Sequence, residues 1–207
     1  MIDPVLYSFF ILASAALVAS PGPTVSLIVA ETLKNGKVYG FATITGAFFA
    51  GSFYFLLYYF GAAVFLEGMN PVYFDLMRYG GIVMLVWMAW KMFKASGTLE
   101  DTKGIRADKS PFSAALRGFF ICISSPKSVI FFAAFFPQFI NKGLPFQPQI
   151  LLMGIGFLIV GVLSDLLWIF ISLKAKDWIY RKGGHGLINK ISGSVLSLGA
   201  VALLFIN

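Results

Sequence analysis

Ser20-Pro21-Gly22-Pro23-Thr24 lies in the middle of a long apolar run. Two prolines and a glycine interrupt a helix there, because proline has no backbone donor and its ring crowds the preceding turn. At membrane depth no water satisfies the freed backbone. Such a break survives only where it is buried in protein or lines a cavity. A second break, Ser124-Ser125-Pro126-Lys127-Ser128, stands in the fourth apolar run. Interruptions at corresponding positions of two halves point to a transporter binding site. The pair predicts a small inverted-repeat membrane carrier.

Composition supports a lipid setting. Of 207 residues, 58% are hydrophobic and 12% charged, with 23 phenylalanines and a mean hydropathy of +0.84. Soluble domains carry about 25% charged residues, and a soluble core of this size could not hide so much apolar surface. The net charge of +7 does not indicate nucleic acid, because the basic residues sit in short loops between apolar runs. Cys122 is the single cysteine and His185 the single histidine. The sequence therefore predicts no intramolecular disulfide, no metal site and no cofactor. Met1-Ile2-Asp3 lacks a basic leader segment, although Ala13-Ser14-Ala15 resembles a cleavage site. The first run is read as a mature spanning helix.

A spanning helix needs about 20 apolar residues. Six runs qualify, near 4–30, 38–66, 73–92, 112–140, 150–173 and 187–206. The predicted fold is an all-α polytopic membrane protein. Its six transmembrane helices form an inverted three-plus-three repeat, with helices one and four broken. The chain reads as one membrane domain: residues 1–95 form the first repeat, 96–111 a cytoplasmic linker and 112–207 the second repeat.

Loop charges set the orientation. Lys34 and Lys37 occupy loop one. Lys91, Lys94, Lys103, Arg106, Lys109 and Arg117 surround loop three. Lys174, Lys176, Arg181, Lys182 and Lys190 surround loop five, whereas the opposite side holds only Arg78 and Lys142. The odd loops are thus expected in the cytoplasm and both termini outside. Three spans per half is an odd number, so the halves must be inverted relative to each other.

The first break offers the carbonyls of Leu17 and Ala19, left without their proline donors, and the hydroxyls of Ser20, Thr24 and Ser26. A helix restarting after it would present an N-terminus suited to a substrate carboxylate. A structural kink explains the same residues. Lys127 stands about 15 Å along a helix from Arg117, near the midplane, and Asp165 is similarly deep in the fifth run. Intramembrane charges face a cavity or each other. Three readings follow: a Lys127–Asp165 ion pair, a proton-carrying Asp165, or a Lys127 that meets a substrate carboxylate. Glu31 reads as an interfacial carboxylate beside Lys34 or as a gate to an inward mouth. Asp75 and Arg78 read as a surface pair. Helix two carries small-residue pairs at 46/50 and 47/51, and Gly154, Gly161, Gly193, Ser197 and Gly199 invite similar close packing. Enzyme signatures are lacking, with no HExxH and no GxSxG. A Ser–Lys dyad of Ser124, Ser125 or Ser128 with Lys127 joins sequence neighbours rather than a spatial pair.

These stretches resemble a known family. Ser20-Pro21-Gly22-Pro23 with the polar end at 31–36 is similar to the first-helix signature of the lysine-exporter (LysE/RhtB) family of amino-acid exporters. Gly118-Phe119-Phe120, Ser125-Pro126-Lys127, Phe131-Phe132 and Phe136-Pro137-Gln138-Phe139 resemble its fourth-helix pattern. The resemblance extends to Trp87–Lys91, Asp165 and the Gly193…Gly199 spacing. Ser125 stands where the family pattern has Asn, and Gly51-Ser52 where it has Gly-Asp. The resemblance implies an exporter of amino acids or related small metabolites in the cytoplasmic membrane, driven by protons. By motif match, Pro21, Gly22, Pro23, Pro126, Lys127 and Asp165 carry over as functional positions; together with the residue reading above, Ser20, Pro21, Gly22, Pro23, Thr24, Ser125, Pro126 and Lys127 are expected to bind substrate, Asp165 to couple protons and Glu31 to gate. The expected partners are the small-molecule substrate, protons and membrane lipid, without nucleic acid; self-association stays open. A metal or ion exporter and a non-transporting membrane scaffold are the alternatives.

Overall fold

The computed structural model describes residues 2–67, 110–125, 127–128, 131–141 and 143–174, with scattered positions between 79 and 94 and between 190 and 201. Helices are the only regular elements among the described residues. The third and sixth apolar runs, the linker up to residue 109, Asp75, Arg78, Pro126 and His185 fall wholly or largely outside them.

Helix α1 spans Pro4–Ala19. Asp3 caps it, its Oδ1 accepting from the backbone N–H of Val5 at 2.9 Å and of Leu6 at 3.2 Å. Pro4 occupies the first turn, where a missing N–H costs nothing. Helix α2, Pro23–Asn35, follows the first break. The two helices meet at 54° across a break of three residues. Gly36 ends α2 with φ 94°, a left-handed conformation that favours glycine. This tight turn leads straight into α3, Lys37–Glu67. Helix α4, Pro111–Ile123, is capped by the Ser110 hydroxyl, which accepts from the Ser113 N–H at 3.3 Å. Helix α5, Phe146–Lys174, is the second long helix.

Two segments, residues 37–61 of α3 and the whole of α5, are long and apolar enough to cross a membrane, with mean hydropathies of 1.5 and 2.4. The bent α1–α2 pair makes a third candidate span. Phe49, Phe53, Leu57 and Phe60 on α3 and Leu163, Leu167 and Phe170 on α5 are exposed. A lipid solvent accounts for such an outer surface. The chain is a membrane protein whose described part supplies two or three spans.

The fourth run departs from the expected broken α-helix. Helix α4 has 13 residues, about 20 Å of helix, and stops short of a full crossing. Beyond the break the chain forms a π-helical turn at Phe131–Phe135 and a 3-10 turn at Phe136–Phe139. Pro137 explains part of this, because it cannot donate back into a regular helix. Phe131, Phe135, Phe136 and Phe139 surround Phe10 of α1 at centroid distances of 5.3–6.2 Å and are buried with it.

Backbones approach most closely where side chains vanish. A Cβ added at Gly46 of α3 would strike the Ala115 carbonyl of α4, and one at Gly118 of α4 would strike the Thr43 carbonyl of α3. Gly154 is packed under the Phe55 ring. In lipid, such close contact holds helices together where hydrophobic exclusion is weak. Gly46 of the second run therefore serves packing, as do Gly118 and Gly154, whereas Ala47 and Gly51 line the cavity described below. Gly193 and Gly199 lie outside the described residues.

Candidate functional site

Every carbonyl that the first break exposes at Leu17, Ala19, Ser20 and Gly22 finds a donor. Leu17 O accepts from the Ser20 N–H at 3.3 Å and from the Ser20 hydroxyl at 2.7 Å. Ala19 O accepts from the indole Nε1 of Trp168, 149 residues away on α5, at 3.3 Å. Ser20 O accepts from the Lys127 ammonium at 2.9 Å, and the Ser20 hydroxyl lies 2.8 Å from the same nitrogen. Gly22 O takes the Ser26 N–H at 2.8 Å and starts α2. An unmet carbonyl in this setting would cost about 1–3 kcal/mol, so these donors decide whether the break is tolerated.

The two breaks therefore touch. Lys127 follows the second break and reaches into the first. The second break is a local turn in which the Ser125 N–H donates to Cys122 O at 3.2 Å and the Ser128 N–H to Ser125 O at 3.0 Å. Gly22 packs along the Lys127 stem, with room for a Cβ 3.9 Å from Cδ.

Beside this junction lies a cavity with about 100 Å³ of space for water-sized molecules. Gly22, Pro23, Thr24, Ser125, Lys127 and Asp165 line it. Ser20 joins them through its bonds to Lys127. Pro21 is half-buried and is not among the lining residues. Ser26 is buried away from the cavity. Asp165 is 8% exposed. Among the described residues, the only ion pair found is that of Arg117 with Glu31. Lys127 and Asp165 thus share the cavity and each other's field without direct contact. The ion-pair reading gives way to a Lys127 tied to Ser20.

Glu31 sits elsewhere. It is fully buried rather than interfacial, seven residues beyond Thr24 on α2. Its Oε1 accepts from Arg117 Nη2 of α4 at 2.6 Å, and its Oε2 accepts from Asn35 Nδ2 at 2.6 Å. Arg117 had read as a loop charge. One signal could have found the pair: Arg117 precedes Ser125 by eight residues, much as Glu31 follows Thr24 by seven. Sequence reasoning also missed Trp168 as a backbone donor, Cys122 and Ser128 as cavity residues 3.8 Å apart, and Tyr54. The Tyr54 hydroxyl donates to Ile123 O at 2.5 Å while its ring lines the cavity.

Known efflux proteins resemble this chain in sequence. The homoserine/homoserine lactone efflux protein of Salmonella typhi is 24% identical over 189 residues, covering 91% of each chain. The leucine efflux protein of Klebsiella pneumoniae is 28% identical over 136 residues, 65% of this chain and 63% of that protein. The leucine efflux protein of Salmonella choleraesuis is 26% identical over 163 residues, 77% and 72% of the two chains. No solved structure matches. A family model described as LysE type translocator matches residues 15–206. It describes translocators and not enzymes. With nearly the whole sequence matched, the chain belongs to the LysE type translocator family.

Proposed function

We propose that this chain is a secondary-active exporter of amino acids or related small metabolites across the cytoplasmic membrane, coupled to protons. One observation carries the reading: the two helix breaks converge on one cavity that holds a deep cation and a deep acid. Intramembrane charges that face a cavity mark substrate and ion pathways. Relatives named for efflux of homoserine and of leucine agree with it.

In this reading six helices form two inverted halves, residues 1–95 and 112–207, joined by a cytoplasmic linker at 96–111. Both termini lie outside. The polar group at Ser20–Thr24 with Ser125, Pro126 and Lys127 binds substrate, and Asp165 carries the proton. Glu31 and Arg117 form a gate on the cytoplasmic side, since α2 and α4 run from the breaks toward the basic loops. The aromatic cluster around Phe10 fills the outer side.

The test uses purified full-length protein in liposomes loaded with a panel of amino acids. A pH gradient should drive counterflow of at least one of them. Asp165→Asn should abolish that coupling while leaving membrane insertion and elution volume unchanged. Gradient-driven flux that persists in the variant removes Asp165 from its role. Absence of flux for every amino acid overturns the export reading in favour of a scaffold or an ion carrier.

A further inference from the structure

We propose that the cavity selects zwitterionic amino acids with an apolar, uncharged side chain: carboxylate on Lys127, ammonium on Asp165, side chain toward Phe157. This rests on the export reading and adds the substrate class.

The cavity has two unlike ends. Cys122 meets both Thr24 and Ser128 and lies within the field of Lys127 and Asp165. The charged and hydroxyl groups therefore gather at the breaks. Along α5 the lining residues are Phe157 and Leu158, then Gly161 and Val162, then Asp165. They form one stripe at helical spacing, about 12 Å from Phe157 to Asp165. The far end is a box of rings. Phe157 stacks on Phe131 at 4.3 Å and meets Phe132 edge-on at 5.2 Å, and Phe132 stacks on Tyr54 at 5.4 Å. The one hydroxyl of that box, on Tyr54, already donates to Ile123 O.

The charged end is unfilled in a specific way. Lys127 has three donors and uses two acceptors on Ser20, so one N–H remains for a carboxylate. Asp165 is more than nine-tenths buried and, among the described residues, accepts no hydrogen bond. A buried carboxylate without a donor calls for a cation. Because Lys127 and Asp165 are held apart, a zwitterion can bridge them, whereas an amine or an acid alone satisfies only one. No described atom lies within 4 Å of a Cβ built at Gly161, which leaves room between the ends for a side chain.

A side-chain hydroxyl in the ring box would lose water without gaining a partner, and a side-chain ammonium would lose more. Leucine should therefore bind about tenfold or more tightly than homoserine or lysine. Removing either charge from the ligand, as in 4-methylpentanoate or 3-methylbutylamine, should weaken binding by a similar factor.

The test is protection of Cys122 from alkylation, and competition for flux, in the intact protein with leucine, alanine, homoserine, lysine and the two single-charge analogues. The expected order is leucine first. Asp165→Asn should erase the preference for leucine over 4-methylpentanoate. Gly161→Leu should fill the middle of the cavity and cost leucine more than alanine. Equal or better protection and flux with homoserine or lysine overturns the proposal and leaves the export reading standing. An unchanged leucine-to-alanine ratio in Gly161→Leu also overturns it. Failure of every amino acid to protect or move rejects the export reading itself.

Discussion

The Glu31–Arg117 pair offers a test of the gate that uses the chain's own reporter. Glu31→Gln keeps the shape of the side chain and leaves an oxygen for Asn35, but removes the charge that faces Arg117. Cutting one partner from a fully buried pair costs about 3–5 kcal/mol. Arg117 keeps 30% of its side-chain exposure, so water can recover part of that loss. A net effect of about 2 kcal/mol on the closed cytoplasmic state is reasonable, and about 2 kcal/mol is about thirtyfold in a two-state ratio. Cys122 is the only cysteine and lines the cavity on the far side of this pair. Its alkylation by an impermeant maleimide, added to the cytoplasmic face of inverted vesicles, reads the opening directly. Glu31→Gln should raise that rate by up to about thirtyfold, and Arg117→Gln should act in the same direction. Exchanging the two charges should slow it again. If both single variants lower thermal stability while the labelling rate stays at the wild-type value, the pair is a structural clasp and the gate is refuted.

Other perturbations follow from the same contacts. Trp168→Phe keeps an aromatic ring but deprives Ala19 O of its donor and leaves a smaller ring at a buried site; it should cost at least about 1–3 kcal/mol, read as a lower midpoint in thermal unfolding of the solubilised protein. Gly46→Ala and Gly118→Ala place a methyl against a backbone carbonyl of the facing helix. Each should cost at least about 1–3 kcal/mol and reduce the yield of folded protein in size-exclusion profiles. Gly22→Ala meets only the Lys127 stem at 3.9 Å and has an extended φ of −151°. Its folding midpoint should match wild type, so a change in flux would report on the cavity alone.

Much of this was legible in the chain. Apolar length and proline placement gave α3, α5 and the α1–α2 break, because those features act locally and lipid enforces them. Lys127 and Asp165 stood out as charges within apolar runs, and the structure lines one cavity with both of them and with residues of the two breaks. What could not be read were the partners. Trp168 looks like any apolar-run tryptophan until Ala19 O stands 3.3 Å from its indole. Arg117 looks like a loop charge until Glu31 turns toward it. Both depend on the relative rotation of helices far apart in sequence, which no local pattern encodes. The π and 3-10 turns after residue 130 were illegible for another reason: Phe131, Phe135, Phe136 and Phe139 stand at ordinary α-helical spacing, so the apolar pattern reads as a regular helix.

The first break leaves carbonyls without helical donors; Ser20 meets that of Leu17 locally, and residues far along the chain meet the next two. Trp168 Nε1 and Lys127 Nζ, both beyond residue 112, close the carbonyls of Ala19 and Ser20. The break in one half is therefore stable only while the other half stays docked against it. A carboxylate on the remaining N–H of Lys127 shares the ammonium charge with Ser20 O and the Ser20 hydroxyl. Binding then weakens the bond that joins the breaks at the moment the cavity is filled. On the export reading, this supplies the differential contact that any ligand needs to shift a conformational equilibrium. On that reading a lysine suits this position better than an arginine would. A compact ammonium on a flexible stem can pivot between two acceptors, whereas a planar fork holds its geometry. Lys127→Arg should accordingly keep the fold, retain a cation in the cavity and slow the transport cycle.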